Sequence, residues 1–207
     1  MMATTHALVG AALGASVATV SPELAPVAAL AGFAGGLAPD LDLYAGHRKT
    51  LHFPVYFSLL AVPAVAAALL WTGPATVALA LFLVAAALHS VSDVIGGGLE
   101  LRPWEGTSDR GVYSHYHGTW IAPRQWIRYD GAPEDFALGT VVALVPLLLV
   151  DGPIDALIAA ALVVSFGYTL VRRRLPDLGE RIVAALPDPV LEYVPARFLD
   201  IEELSAG

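Results

Sequence analysis

The fold is decided by residues 54–95, which read PVYFSLLAVPAVAAALLW, then TGP, then ATVALALFLVAAALHSVSDVI. The two apolar stretches, 54–71 and 75–95, are each close to the roughly 20 apolar residues that a helix needs to cross the hydrocarbon core of a membrane. Glycine and proline in the three residues between them are typical of a tight turn. The segment therefore predicts two membrane-spanning helices that form a hairpin.

The same pattern recurs on both sides of this segment. Short turns at 21–23 and 151–153 each separate two further apolar stretches. The first pair is shorter and rich in glycine and alanine, which favours close helix packing over exposure to lipid. We therefore predict an all-α, polytopic membrane bundle of about six helices in three hairpins. The predicted helices are 3–20, 24–37, 54–71, 75–95, 136–150 and 154–171.

Composition supports a membrane protein and excludes several other classes. Hydrophobic residues make up 57% of the chain and charged residues only 14%, whereas soluble domains carry about 25% charged residues. A soluble helical bundle with buried helices is the alternative. The absence of cysteine excludes disulfides, thiolate zinc sites and a cysteine nucleophile. The net charge of −8 argues against a nucleic-acid partner.

The distribution of cations predicts the orientation. The turns at 21–23, 72–74 and 151–153 contain no lysine or arginine, so all eleven cations lie in the other segments. Cytoplasmic segments are enriched in these residues. We therefore expect a multi-pass protein of the cell membrane with both termini in the cytoplasm. Its membrane domain would comprise 1–174, including a cytoplasmic loop at 96–135, and a cytoplasmic tail would follow at 175–207.

Histidines and aspartates near the cytoplasmic helix ends suggest the site. His89 and Asp93 are four residues apart, so on a helix they share a face and can hold one ion. The alternative is a hydrogen bond at the helix end that fixes the imidazole. Ionisable groups in an otherwise apolar span are usually functional.

Asp40 and Asp42 end the second apolar stretch. Pro39 disfavours helix at Ala38, so an extended chain that points both carboxylates the same way is expected. Two carboxylates at one point repel unless a cation or proton lies between them. A metal site is the preferred interpretation, and a solvated acidic turn is the alternative.

Two further histidines, His47 and His52, follow this pair. A mixed histidine and carboxylate site suits zinc best, with manganese or iron as other options. Arg48 and Lys49 are candidates for contact with an anionic substrate or lipid headgroups, although simple anchoring at the membrane explains Lys49 better. His6 alone would be incidental.

The long loop at 96–135 contains His115 and His117. These two are candidates for a second metal site or for a general acid or base. Aromatic residues in the same loop have the placement of interfacial anchors, with a substrate platform as the alternative. They are Trp104, Trp120, Trp126 and Tyr129.

Four motifs in order resemble the YdjM-like family of membrane-bound metal-dependent hydrolases, also described as LexA-binding inner-membrane-associated hydrolases. The motifs are Thr5-His6, Pro39-Asp40-Leu41-Asp42, the pair His47 and His52, and the pair His89 and Asp93. The glycine-rich stretch before Arg102-Pro103-Trp104 is also similar. The resemblance covers about residues 5–105. A more distant similarity is to zinc phospholipase C and P1-type nucleases.

The resemblance implies a metal-dependent hydrolase. Its metal ligands would be His6, Asp40, Asp42, His52, His89 and Asp93. Asp42 would also accept a proton during catalysis, with His47 as a ligand or as a catalytic partner beside it. The substrate would be a phosphoester or a lipid-like molecule, bound where the membrane lipids meet water. A non-catalytic membrane protein that binds or transports metal, or serves as a scaffold, is the alternative.

Overall fold

The computed structural model describes residues 1–43 and 45–194, and this part of the chain is mostly helical. The predicted helical class is confirmed, with a small antiparallel hairpin of two strands added to it. The part of the predicted tail beyond residue 194 lies outside the described residues. The elements are α1 (Ala3–Ala15), α2 (Ala25–Leu37), α3 (Pro54–Leu70), α4 (Pro74–Ser92), β1 (Val112–Ser114), β2 (Thr119–Ile121), α5 (Pro133–Leu149), α6 (Pro153–Val171), α7 (Leu175–Ala184) and α8 (Asp188–Leu191).

Each predicted apolar stretch forms a helix, and the turns lie where glycine and proline predict them. The helices α3, α4, α5 and α6 each begin at a proline. Proline suits this position because its fixed φ matches the helix and its missing N–H would have no partner in the first turn. Consecutive helices pack as the pairs α1–α2, α3–α4 and α5–α6.

Three segments are long and apolar enough to cross a membrane: Pro22–Asp42, Pro74–Ile95 and Pro153–Ala184. The helix Pro54–Leu70 is apolar but shorter. Large apolar side chains on α3 and α6 face outward, including Val62, Leu69 and Val163, each at least 70% exposed. Exposed apolar surface on this scale is typical of contact with lipid or with another protein.

The short helix α1 lies at the centre and contacts α2, α4, α5 and α6. Its contacts with α2 leave no room for side chains: a methyl group added at Gly10 would lie 2.0 Å from the carbonyl oxygen of Gly32. One added at Gly35 would lie 2.2 Å from that of Phe82 on α4. This agrees with the close packing that the glycine and alanine content predicts.

The loop at 96–135 and the helix α7 cover the end of the bundle that carries the histidines. Arg48 ties the loop down, because its Nη1 donates to the carbonyl of Gly111 at 3.2 Å and its own carbonyl accepts from Tyr113 N at 2.9 Å. Arg102 in the loop holds α7 through ion pairs with Asp177 at 3.0 Å and Glu180 at 2.7 Å.

Replacing Gly10 with alanine should destabilise the protein by about 1–3 kcal/mol, the typical cost of overpacking. The added methyl group would overlap the backbone of α2, so two helices would have to separate. Thermal unfolding of the purified protein in detergent measures the effect. Gly167→Ala is the matched control, because a methyl group there meets nothing within 4 Å. Equal unfolding temperatures for the two variants would contradict the packing argument.

Candidate metal centre

The turn that carries Asp40 and Asp42 is a 3-10 helix, Ala38–Asp42, and not the extended chain expected from the sequence. Ala38 adopts helical angles, with φ −57° and ψ −41°, although Pro39 follows it. Proline is accepted in the first turn of a helix because no intrahelical partner awaits its missing N–H. The two carboxylates nevertheless contact the same imidazole from opposite sides: Asp40 Oδ1 lies 3.6 Å from His52 Nε2, and Asp42 Oδ2 accepts from His52 Nδ1 at 3.0 Å.

Four side chains from separate segments bring their ligand atoms to within 4.8 Å of one another. These residues, here called the four-residue cluster, are Asp40, His52, His89 and Asp93. Asp40 follows α2, and His52 lies just before α3. His89 lies in the last turn of α4, and Asp93 directly follows that helix. The predicted pairing of His89 and Asp93 is thus present, since their nearest atoms lie 3.6 Å apart.

The hydrogen bonds of the two imidazoles determine which nitrogens face each other. His89 Nδ1 lies 2.6 Å from the carbonyl oxygen of Gly36, which can only accept, so Nδ1 carries the proton. His52 Nδ1 donates in the same way to a carboxylate oxygen of Asp42 at 3.0 Å. When both imidazoles are neutral, their Nε2 atoms, which lie 3.2 Å apart, are both left with lone pairs. Outer partners that orient histidines in this way are typical of metal sites.

Asp93 supplies a buried oxygen that lacks a donor. Within the part of the chain that the structure describes, its Oδ2 accepts no hydrogen bond, although the residue is only 1% exposed. This oxygen lies 3.1 Å from His52 Nε2 and 3.6 Å from His89 Nε2. A buried carboxylate oxygen without a partner is costly. A cation between these atoms would satisfy the oxygen and both lone pairs.

Five of the six distances among the ligand atoms of the cluster are close to those around a tetrahedral ion. Asp40 Oδ1 lies 3.6 Å from His52 Nε2 and 3.5 Å from His89 Nε2. A tetrahedral zinc with bonds of about 2.0–2.1 Å separates neighbouring ligands by roughly 3.3 Å. Burial alone would lower the pKa of His52, but the neighbouring carboxylates of Asp40, Asp42 and Asp93 raise it to about 10. The pocket thus favours positive charge, supplied by a proton or by a metal.

Two of the six predicted ligands contact the cluster without belonging to it. His6 stacks on His89 with ring centroids 3.8 Å apart, and its Nε2 lies 3.1 Å from the other oxygen of Asp93. Asp42 is also buried, and its two oxygens together accept four hydrogen bonds. The donors are His47 Nδ1, Arg48 N, Leu51 N and His52 Nδ1. Both residues therefore orient cluster members.

His47 lies at the edge of the centre, with its side chain 19% exposed. Its Nδ1 donates to Asp42 at 3.1 Å and lies 3.8 Å from Asp40 Oδ1. Because Nδ1 carries the proton, Nε2 keeps its lone pair. This pairing of a carboxylate with a histidine suits proton transfer.

The structure gives the two loop histidines different partners. His115 Nε2 donates to the carbonyl oxygen of Lys49 at 2.6 Å, and its ring packs against Phe53. His117 is exposed and pairs through Nδ1 with Ser114 Oγ at 2.8 Å. A second metal site at these two positions stays a prediction, with no third ligand beside them among the described residues.

The four aromatic residues of the same loop are spread over several contacts. Trp104 packs on Tyr129 and faces the guanidinium groups of Arg172 and Arg173. Trp120 packs on Tyr113 across the hairpin, and Trp126 is 70% exposed. The four aromatic side chains therefore do not form one continuous surface.

Two contacts at the metal centre were not predicted from the sequence: that of the Gly36 carbonyl with His89 and that of Arg48 with Asp93. The carbonyl of Gly36 has no side-chain signal at all, and its role depends on where α4 crosses α2. Arg48, only 5% exposed, places its Nε 3.7 Å from Asp93 Oδ2. An arginine in a loop usually indicates a surface cation, so its burial was not expected. The sequence signal that could have indicated its burial is its position between His47 and His52.

Removing one ligand of the four-residue cluster should abolish metal binding. We expect the wild-type protein to hold one divalent ion, and Asp93→Ala and His89→Ala to hold none, because each loses a donor atom. Asp42→Asn should still bind, with an affinity reduced about 10–100-fold, since it alters only the partner that orients His52. Elemental analysis and titration of metal-depleted protein measure both effects.

The matched control for this series is His117→Ala, which removes an exposed histidine away from the cluster. It should bind as the wild type does. A wild-type protein without affinity for zinc, manganese or iron would refute the metal centre. Equal losses in Asp42→Asn and Asp93→Ala would refute the distinction between ligand and orienting residue.

Comparison of the chain with protein-family models, curated proteins and solved structures finds no match. The resemblance to the YdjM-like hydrolases, and the fold and activity that it implies, therefore stay predictions. The evidence for the metal centre is the arrangement of this chain's own residues.

Proposed function

We propose that this protein is a membrane-bound, metal-dependent hydrolase that cleaves a phosphoester. The observation that carries the proposal is the convergence of two imidazole lone pairs and the unpartnered Asp93 Oδ2 beside the Asp42–His47 pair. The first three atoms provide ligands for a cation. The pair provides a group that can accept a proton next to it. Ligands and a proton acceptor together are what metal-assisted hydrolysis requires.

The ion we propose is zinc, held by Asp40, His52, His89 and Asp93. Two nitrogen and two oxygen ligands at tetrahedral spacing favour zinc, and manganese or iron accept the same donor types. When bound, such an ion lowers the pKa of water toward neutrality and polarises a phosphoryl oxygen. Asp42 and Gly36 hold the two imidazoles in the tautomer that this role needs.

His47 is the proton acceptor in this proposal. Its Nδ1–H is held by Asp42, so its Nε2 can take a proton from the attacking water. Its partial exposure lets that proton leave to solvent. Asp42, the acceptor expected from the sequence, keeps the positioning role because its oxygens are occupied by donors from the chain.

The alternative function for the same centre is a protein that binds or transports metal ions without catalysis. Transporters place their ionisable groups near the middle of the bilayer, between broken helices. Among the described residues, the cluster lies at or beyond the ends of α2, α3 and α4. A purely structural metal site would need Asp42 to orient His52 but would not need His47 beside it, so we favour hydrolysis.

The proposed location is the cell membrane, with six spans and the metal centre on the cytoplasmic side. The three segments that are long and apolar enough to cross a membrane support the location. The placement of every lysine and arginine outside the three hairpin turns supports the orientation.

His47→Gln should lower kcat for a phosphoester by about 10²–10⁴-fold, the usual contribution of a general base. Its metal content should stay that of the wild type, because His47 is not a ligand. A screen with phosphomonoesters and phosphodiesters on the zinc-loaded protein measures kcat, with His117→Gln as the control. Wild-type turnover that survives His47→Gln unchanged would remove His47 from the mechanism, and no turnover in the wild type with bound metal would favour the non-catalytic reading.

The chain contains no cysteine, so single cysteines can report its orientation. In intact cells a membrane-impermeant maleimide should label Thr72→Cys and leave Lys49→Cys unlabelled until the membrane is opened. Both positions are exposed, so burial does not bias the comparison. The reverse pattern would place the metal centre outside the cell, and labelling of both would refute the hairpin topology.

A further inference from the structure

A cavity of about 610 Å³ adjoins the metal centre. Its walls come from the start of α1, the end of α2, the loop at 98–103, the helix α6 and the helix α7. Its size falls within the range of roughly 300–1,000 Å³ that is usual for small-molecule sites. The cavity therefore has room for a substrate and not merely for ordered water.

One end of the cavity is the metal centre itself. Asp40 lines it and is the cluster member that faces the cavity, and His47 and Arg48 lie next to it. Within the described residues, the Nε of Arg48 is buried and makes no hydrogen bond. The residue nonetheless carries a full positive charge beside the cluster. Its Nε lies 3.7 Å from Asp93 Oδ2, so an anionic group that enters from the cavity would meet the positive potential of the guanidinium and of the proposed ion together.

Two other cations line the cavity, and both are already paired: the Met1 ammonium lies 3.7 Å from Asp93 Oδ1, and the Arg172 guanidinium faces Asp130. Arg172 Nε and Nη2 donate to the two oxygens of Asp130 at 2.9 and 3.0 Å, and Tyr168 also donates to Asp130. Their charges therefore balance within the wall. Arg48 and the proposed ion both lie at the other end of the cavity, so the anionic group of a bound molecule is expected at the cluster and not at the Arg172 end.

Between these ends the walls are mostly apolar. Leu37, Leu99, Leu101, Val164 and Leu175 line the cavity. Thr4, Glu100 and Tyr168 are polar exceptions, and the larger apolar part of the wall favours burial of a hydrocarbon chain. The helix α7 completes the wall through Leu175, Pro176 and Gly179, and Arg102 holds it in place.

We propose that the cavity binds the apolar chain of an amphiphilic substrate whose single anionic phosphoester group lies at Arg48, against the four-residue cluster. This inference rests on the proposed hydrolase function and assigns its substrate class. It also gives α7 a role, since this helix forms the wall along which the chain lies.

Gly179→Phe tests the proposal, because a Cβ atom added there meets nothing within 4 Å and the residue lines the cavity. Gly167→Phe is the matched control: it is also a helical glycine with open space around it, and it does not line the cavity. The probes are dodecylphosphonate and methylphosphonate, which share the anionic group and resist hydrolysis. Calorimetric titration of zinc-loaded protein in nanodiscs measures their binding.

We expect the wild type and Gly167→Phe to bind dodecylphosphonate at least about tenfold more tightly than methylphosphonate. Gly179→Phe should lose most of this difference and keep its affinity for methylphosphonate. Equal binding of both probes to the wild type would overturn the proposal. Equal chain-length dependence in the two phenylalanine variants would overturn it too, because partition into the bilayer alone would then explain the signal.

Turnover separates this inference from the proposed function. Hydrolysis of p-nitrophenyl dodecyl phosphate in preference to p-nitrophenyl methyl phosphate, lost in Gly179→Phe, supports both. Hydrolysis without any chain-length preference overturns the substrate class and leaves the hydrolase standing. No hydrolysis of either ester, with chain binding that depends on Gly179, overturns the hydrolase and leaves a cavity for an anionic amphiphile.

Discussion

Three helix backbones meet at the centre of this protein without side chains between them, and the metal centre depends on that contact. Gly36 lies so close to α1 that an added methyl group would be 2.2 Å from the carbonyl oxygen of His6. The neighbouring Gly35 makes the same kind of contact with α4. Because α4 runs this close to α2, the imidazole of His89 reaches the carbonyl of Gly36. Asp40, one turn further along the chain, then falls beside the same imidazole.

The buried charges explain why the arrangement needs a cation. Asp42 and Asp93 are each only 1% exposed, and Asp40 lies between two histidines next to them. Carboxylates so close together repel one another unless positive charge offsets them. Arg48 supplies part of this charge from the side of the loop. A divalent ion would supply the rest, and its loss would leave Asp93 Oδ2 without a partner.

Much of the fold was predictable because its signals are local. Apolar length and the glycine–proline turns define the helices within a few residues, and a spacing of four places His89 and Asp93 on one face. The turn at Asp40 was not predictable in the same way, since Pro39 is compatible with an extended chain or with the first turn of a helix. The structure has the second of these, and it places Asp40 and Asp42 at opposite nitrogens of His52.

The sequence by itself determined the helical hairpins and the types of ligand that gather at their ends, because length, hydropathy and residue chemistry act within each segment. Only the tertiary structure decided which histidines and aspartates face a common point and which orient their neighbours. That choice depends on how closely α1, α2 and α4 approach, and on which oxygens other donors have already taken. The apolar cavity beside the centre is likewise a product of packing, since its walls come from five separate parts of the chain.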